Sequence, residues 1–91
     1  MTNRIALKGD QDSLGYTIQS GCSPDVRING QPVALKGSVM SDGVSIVSEV
    51  STSVRVNGKF VARSGSQTEE HTHDPRGVGT IRASSDVSVG D

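Results

Sequence analysis

The 91-residue chain has one cysteine, no tryptophan, a single tyrosine and a single phenylalanine, and almost no imbalance of charge. Each shortage excludes something. Cys22 has no partner in the chain, so a disulfide scaffold is ruled out. Hydrophobic residues make up 32% and aromatics 2%, which leaves only a thin interior. Small scaffolds of this kind commonly depend on a staple such as a metal or a partner. Nine Lys and Arg against ten Asp and Glu give a net charge of -1, which supplies no positive field for a phosphate backbone and argues against nucleic acid as a partner. The stretch Met1 to Gly9 holds no apolar run of signal-peptide length, and nothing later approaches a membrane span. The expectation is a protein made and kept in the cytoplasm. The length suits one domain with no separate catalytic module.

What the chain has is glycine, 11 of them, and a repeat. Ala6, Ala34 and Ala62 lie 28 residues apart, as do Gly9, Gly37 and Gly65. Gly15 pairs with Gly43, Ile18 with Ile46, Val26 with Val54, and Asn29-Gly30 with Asn57-Gly58 at the same interval. Three repeats follow, at approximately 4–30, 32–58 and 60–91. In the third, the residue matching Val26 and Val54 is Val87, five positions late, so extra length has entered as an inserted loop at 66–78 that holds both histidines.

Each repeat predicts short strands. Polar and β-branched residues alternate in Asp25-Val26-Arg27-Ile28-Asn29, in Ser53-Val54-Arg55-Val56-Asn57 and in Asp86-Val87-Ser88-Val89. Asn29-Gly30 and Asn57-Gly58 are hairpin signals, because both residue types tolerate the positive φ of a type I′ turn. No window carries a helical period between caps. The fold class is therefore all-β with almost no helix. Three units in so short a chain predict closure around a pseudo-threefold axis, since closure lets every unit bury its apolar edge against both neighbours and limits exposed strand edges.

The windows Arg4-Ile5-Ala6-Leu7-Lys8-Gly9-Asp10, Pro32-Val33-Ala34-Leu35-Lys36-Gly37-Ser38 and Phe60-Val61-Ala62-Arg63-Ser64-Gly65-Ser66 resemble the Pro-Ala-Ala-Arg-x-Gly-Asp segment of PAAR-repeat proteins. The downstream order agrees: Gly15-Tyr16-Thr17-Ile18, then Gly21-Cys22-Ser23-Pro24, then Val26-Arg27-Ile28-Asn29-Gly30. Pro32 is the only proline at its place, and Arg63 the only arginine at the fourth. The resemblance implies a small cone of three repeats whose base seats on the blunt end of a trimeric β-helical spike, one chain per trimer, with the apex aimed at a target membrane. It implies a structural, membrane-piercing tip of a contractile phage tail or a type VI secretion spike, most like the stand-alone phage type, with no enzymatic turnover. Such a protein is made in the bacterial cytoplasm and assembled at the tip of the tail or spike.

His71-Thr72-His73 is the sharpest local chemistry, because residues two apart in an extended segment point to one side and present two imidazoles to a common ion. Two solvated loop histidines are the plainer reading of the same residues. Cys22 adds a soft donor, and the resemblance implies a metal held near the apex by histidines and a cysteine. The expected ligands are thus Cys22, His71 and His73, and zinc is expected over iron because thiolate with imidazole suits it. A structural zinc takes four donors, and Asp42, Asp74, Glu69, Glu70 and water all remain open for the fourth. Leu14 stands where the family often has a histidine. Cys22 also reads as a small buried hydrophobe at a turn.

Asp10-Gln11-Asp12 lacks the later oxygen donors of a calcium loop and reads as turn chemistry. Gly77-Val78-Gly79 lacks the context of a phosphate loop and reads as the entry to a strand. Two further functions compete with the spike tip. A β module binding carbohydrate or peptide would need Tyr16 and Phe60 on one face. A minimal metallohydrolase would need Cys22, His71, His73 and Glu69 or Glu70 around an open metal in a pocket.

Overall fold

The computed structural model describes residues 3–85 and 87–89. The last two residues of the third repeat, Gly90 and Asp91, and Asp86 of its alternating segment lie outside the described residues. The chain is all-β, and no helix occurs among those described, hence none long and apolar enough to cross a membrane. Twelve short strands follow in order: β1 Asn3–Arg4, β2 Gln11–Asp12, β3 Ile18–Ser20, β4 Arg27–Ile28, β5 Gln31–Pro32, β6 Val39–Met40, β7 Ile46–Ser48, β8 Arg55–Val56, β9 Lys59–Phe60, β10 Gln67–Glu70, β11 Val78–Arg82 and β12 Ser88–Val89.

The repeats are related by rotation. Ala34 N–H donates to Ala6 O (2.9 Å), Ala62 N–H to Ala34 O (2.9 Å) and Ala6 N–H to Ala62 O (3.0 Å), which closes a ring of three hydrogen bonds. Antiparallel bridges Leu7–Val33, Leu35–Val61 and Ile5–Arg63 run around the same circuit. A translational stack would leave its first and last repeats unpaired, whereas here the third repeat returns to the first.

Alternation along the ring segments sends Ala6, Ala34 and Ala62 to one side and their neighbours to the other. On the alanine side, Ile18, Met40, Ile46 and Ile81 complete a buried cluster. On the other, Ile5, Leu7, Val33, Leu35, Val61 and Val89 form a second. Three two-stranded ribbons border that second cluster. Two are the expected hairpins, β4–β5 and β8–β9, turned through Asn29-Gly30 (φ 54° and 81°) and Asn57-Gly58 (φ 53° and 80°). The third is made by β1 and β12, so Ser88 pairs with Arg4 as Arg27 pairs with Pro32 and Arg55 with Phe60.

On the alanine side the circuit repeats in the strand registers: Ile18 pairs with Met40, Ile46 with Thr68 and Ile81 with Asp12. Positions 12, 40 and 68 are therefore equivalent, and all three are buried. Ile81 lies 35 residues after Ile46, whereas Val87 lies 33 after Val54. The insertion is thus seven residues, and two are lost again before Val87. It is also not simply a loop: β10 and β11 pair through Gln67–Thr80 and Glu70–Val78, and only the connection between them lies outside the strands. Together with β2 and β7 they form the order β2-β11-β10-β7. Gly77-Val78 enters β11 as expected.

Candidate functional site

The connection between β10 and β11 is pinned by backbone bonds from His71 N–H to Gly77 O (3.0 Å), Asp74 N–H to His71 O (2.8 Å) and Gly77 N–H to Asp74 O (3.1 Å). These turns rotate the chain between the two histidines. His71 is fully buried while the His73 side chain is 54% exposed, and both rings bring a nitrogen to the same oxygen, Asp42 Oδ2. Their rings stand edge to face with centroids 6.3 Å apart.

His71 occupies the alanine-side end of the molecule. Its Nε2 lies 2.7 Å from Asp12 Oδ2 and 3.4 Å from Thr68 Oγ1, and its Nδ1 meets Asp42 Oδ2. The Tyr16 ring stacks on it at 4.1 Å. The Tyr16 hydroxyl donates to Asp74 Oδ2 (3.0 Å) and so accepts from His73 Nε2 at 3.0 Å. His73 Nε2 also lies 3.5 Å from Asp42 Oδ2. Arg76 closes the edge by donating to Asp74 (2.8 Å). One imidazole thus joins a carboxylate of the first repeat to a carboxylate of the second.

The carboxylates are themselves held by their turns. Asp12 Oδ1 accepts the N–H groups of Leu14 (2.9 Å) and Tyr16 (3.0 Å), and Asp42 Oδ1 that of Val44 (3.5 Å). Asp10 accepts Leu7 N–H (2.9 Å) and the Ser84 hydroxyl, so the turn reading of Asp10 and Asp12 holds for both. Gly79 makes room: a Cβ there would lie 2.0 Å from Asp12 Oδ2. Burial alone would lower the His71 pKa, but the hydrogen bonds to Asp42 and Asp12 outweigh it and raise the value. Burial likewise opposes ionisation of Asp42, yet the bond to His71 leaves its pKa below the ordinary carboxylate value. Hydrogen bonds from Arg76 hold Asp74 well below the usual carboxylate range.

Cys22 stands apart from this cluster. Its thiol donates weakly to Ser20 O (3.9 Å) and receives the Ser38 hydroxyl (3.8 Å). It packs with Val50, its counterpart 28 residues on, against the alanine-side cluster, and burial pushes its pKa up, away from the thiolate a zinc takes. A metal shared by Cys22, His71 and His73 does not fit this arrangement, because both nitrogens of His71 already face carboxylate oxygens and the sulfur points elsewhere. Among the described residues, no group of three or more His, Cys, Asp or Glu side chains is disposed to hold a metal ion.

The weighed alternatives for a fourth ligand separate in the same way. Asp42 touches both histidines, and Asp74 reaches them through Tyr16. Glu69 instead accepts Ser45 N–H (3.0 Å), and Glu70 is exposed on β10. Asp12, Tyr16, Thr68 and Gly79 were not foreseen. The repeat alignment carried a signal for Asp12, which falls in register with Met40 and Thr68 and so puts a carboxylate at a core position.

Among the described residues, the side chains that either competing function would need do not come together. Tyr16 lies on His71, whereas Phe60 lies under the Arg55 guanidinium at 4.4 Å on the β8–β9 hairpin, so the two aromatics make no shared platform. A cleft of about 460 Å³ is lined by Lys36, Val47, Glu49, Phe60 and Arg63 among others, and contains none of Cys22, His71, His73, Glu69 and Glu70.

A family model described as the PAAR motif matches residues 8–71 of the chain. No curated protein matches the sequence.

Proposed function

The chain belongs to the PAAR-motif family, whose members are structural spike-tip proteins of contractile injection systems that sit on spike proteins, and from that premise we propose that it caps the end of a trimeric β-helical spike as a stiff, membrane-piercing tip. The closed ring through Ala6, Ala34 and Ala62 is the observation that carries this reading. A trimeric β-helix ends in three equivalent sets of unpaired strand edges, and one chain with internal threefold symmetry offers a matching group to each.

The ribbon-bearing end is the face that suits such a partner. Val26, Val54 and Val87 occupy equivalent places beside the three ribbons and are 39%, 36% and 43% exposed. Their carbonyls accept the N–H groups of Val33, Val61 and Ile5, so all three are presented by the same local geometry. Three apolar side chains arranged around one axis match three copies of one surface. The opposite end, braced by His71, forms the leading apex, and sheath contraction supplies the work, so no catalytic turnover is needed.

Mixing the full chain with a trimeric spike protein and measuring the mass of the complex tests the reading. One chain per three spike subunits is expected. Equimolar binding would overturn the capping geometry.

A further inference from the structure

Positions 12, 40 and 68 surround the pseudo-threefold axis, and the chain fills them with Asp, Met and Thr. Met40 packs in the apolar cluster. A carboxylate at the equivalent place is costly unless something pairs with it. Asp12 is 3% exposed, and its partner is His71, which the insertion in the third repeat brings against it. The second nitrogen of the same ring meets Asp42 of the second repeat.

We propose that this end of the molecule is closed by a side-chain bridge, Asp12–His71–Asp42, one group from each repeat, which does the work of a coordinated ion. A carboxylate oxygen only accepts, so an imidazole bonded to two carboxylates through its two nitrogens must donate from both and stands as imidazolium. Such a ring has no lone pair to offer a metal. The surrounding atoms complete the bridge. Tyr16 covers one ring face, Thr68 lies beside Nε2, and His73 Nε2 lies 3.5 Å from Asp42 Oδ2. Thr68 Oγ1 also accepts Gly79 N–H (3.1 Å), which ties β11 to the same point. A buried charged group bonded on both sides fixes which partners meet, and this one specifies that the three repeats meet at one end in one register. The apex therefore assembles without metal loading, and Cys22 takes no part in it.

The native chain provides the test. It is purified without chelator, assayed for bound transition metals, and melted after exhaustive EDTA treatment and again with equimolar zinc chloride. Nitrogen NMR of the EDTA-treated protein at a single neutral pH then reports whether each ring nitrogen of His71 bears a proton. The expected result is no stoichiometric metal, a melting midpoint unmoved by EDTA or zinc, and protons on both ring nitrogens. A midpoint that falls on chelation, a rise that saturates at one zinc per chain, or an unprotonated His71 nitrogen would overturn the proposal. The capping stoichiometry is independent of these outcomes.

Discussion

Gly79 is where the bridge is most open to attack from the backbone. It lies inside β11 without a positive φ, so alanine fits the backbone there and by itself would favour a strand by about 0.5–1 kcal/mol. The obstacle is one side chain: the added Cβ would meet Asp12 Oδ2 at 2.0 Å, Cγ at 2.6 Å and Cβ at 3.0 Å. Asp12 cannot swing aside freely, because its Oδ1 holds two backbone N–H groups and its Oδ2 holds His71. Gly79→Ala must therefore break the Asp12–His71 contact. Removing one partner of a buried charge pair costs about 3–5 kcal/mol. Since each kcal/mol moves the midpoint of a domain this size by about 4–8 °C, a fall of more than 10 °C is expected in a calorimetric scan. The Asp12→Ala background isolates the cause. There the carboxylate is gone and only Cβ crowds the site, so adding Gly79→Ala should cost about 1 kcal/mol or less, comparable to mild overpacking. Additive losses in the double variant would refute the argument and place the constraint on the backbone instead.

Two other expectations follow from charge and from φ. The raised pKa of His71 means its contribution is fully present below its unfolded value of about 6.5 and is lost as pH rises through the folded value. The lowered pKa of Asp42 means its contribution is present above the ordinary carboxylate range and is lost as pH falls through its folded value. Urea midpoints should therefore form a plateau in mildly acidic solution and decline on both sides, and a midpoint that climbs steadily into the alkaline range would contradict the bridge. Separately, Glu49 holds φ 57° at the place where the first repeat has Gly21 at φ 76°. Glu49→Gly removes a left-handed penalty of about 1 kcal/mol and forfeits only a 3.9 Å contact with Arg63 from a side chain that is 62% exposed. Higher stability in denaturant titration is expected, and lower stability would show that the ion pair outweighs the strain.

The closed fold was legible because its determinants are local and recur. Asn-Gly turns, β-branched alternation and a 28-residue period each state the same unit three times, and a unit that cannot bury its own edge must find it in a neighbour. The site was legible only in its location. His71 and His73 were read as a pair because they are neighbours in sequence, and both do reach Asp42, but only His71 is buried and bonded on its second nitrogen. The true partner of His71 is Asp12, 59 residues away, and no spacing rule reaches that far. Register does: aligning the repeats puts Asp12 beside Met40 and Thr68, and a core carboxylate among such neighbours demands a buried cation. The insertion supplies one. Seven extra residues in one repeat break the threefold symmetry at this end, and the asymmetry lets a single imidazole bond two carboxylates from the other two repeats. Symmetry thus governs the end with the three ribbons, while the end braced by His71 departs from it.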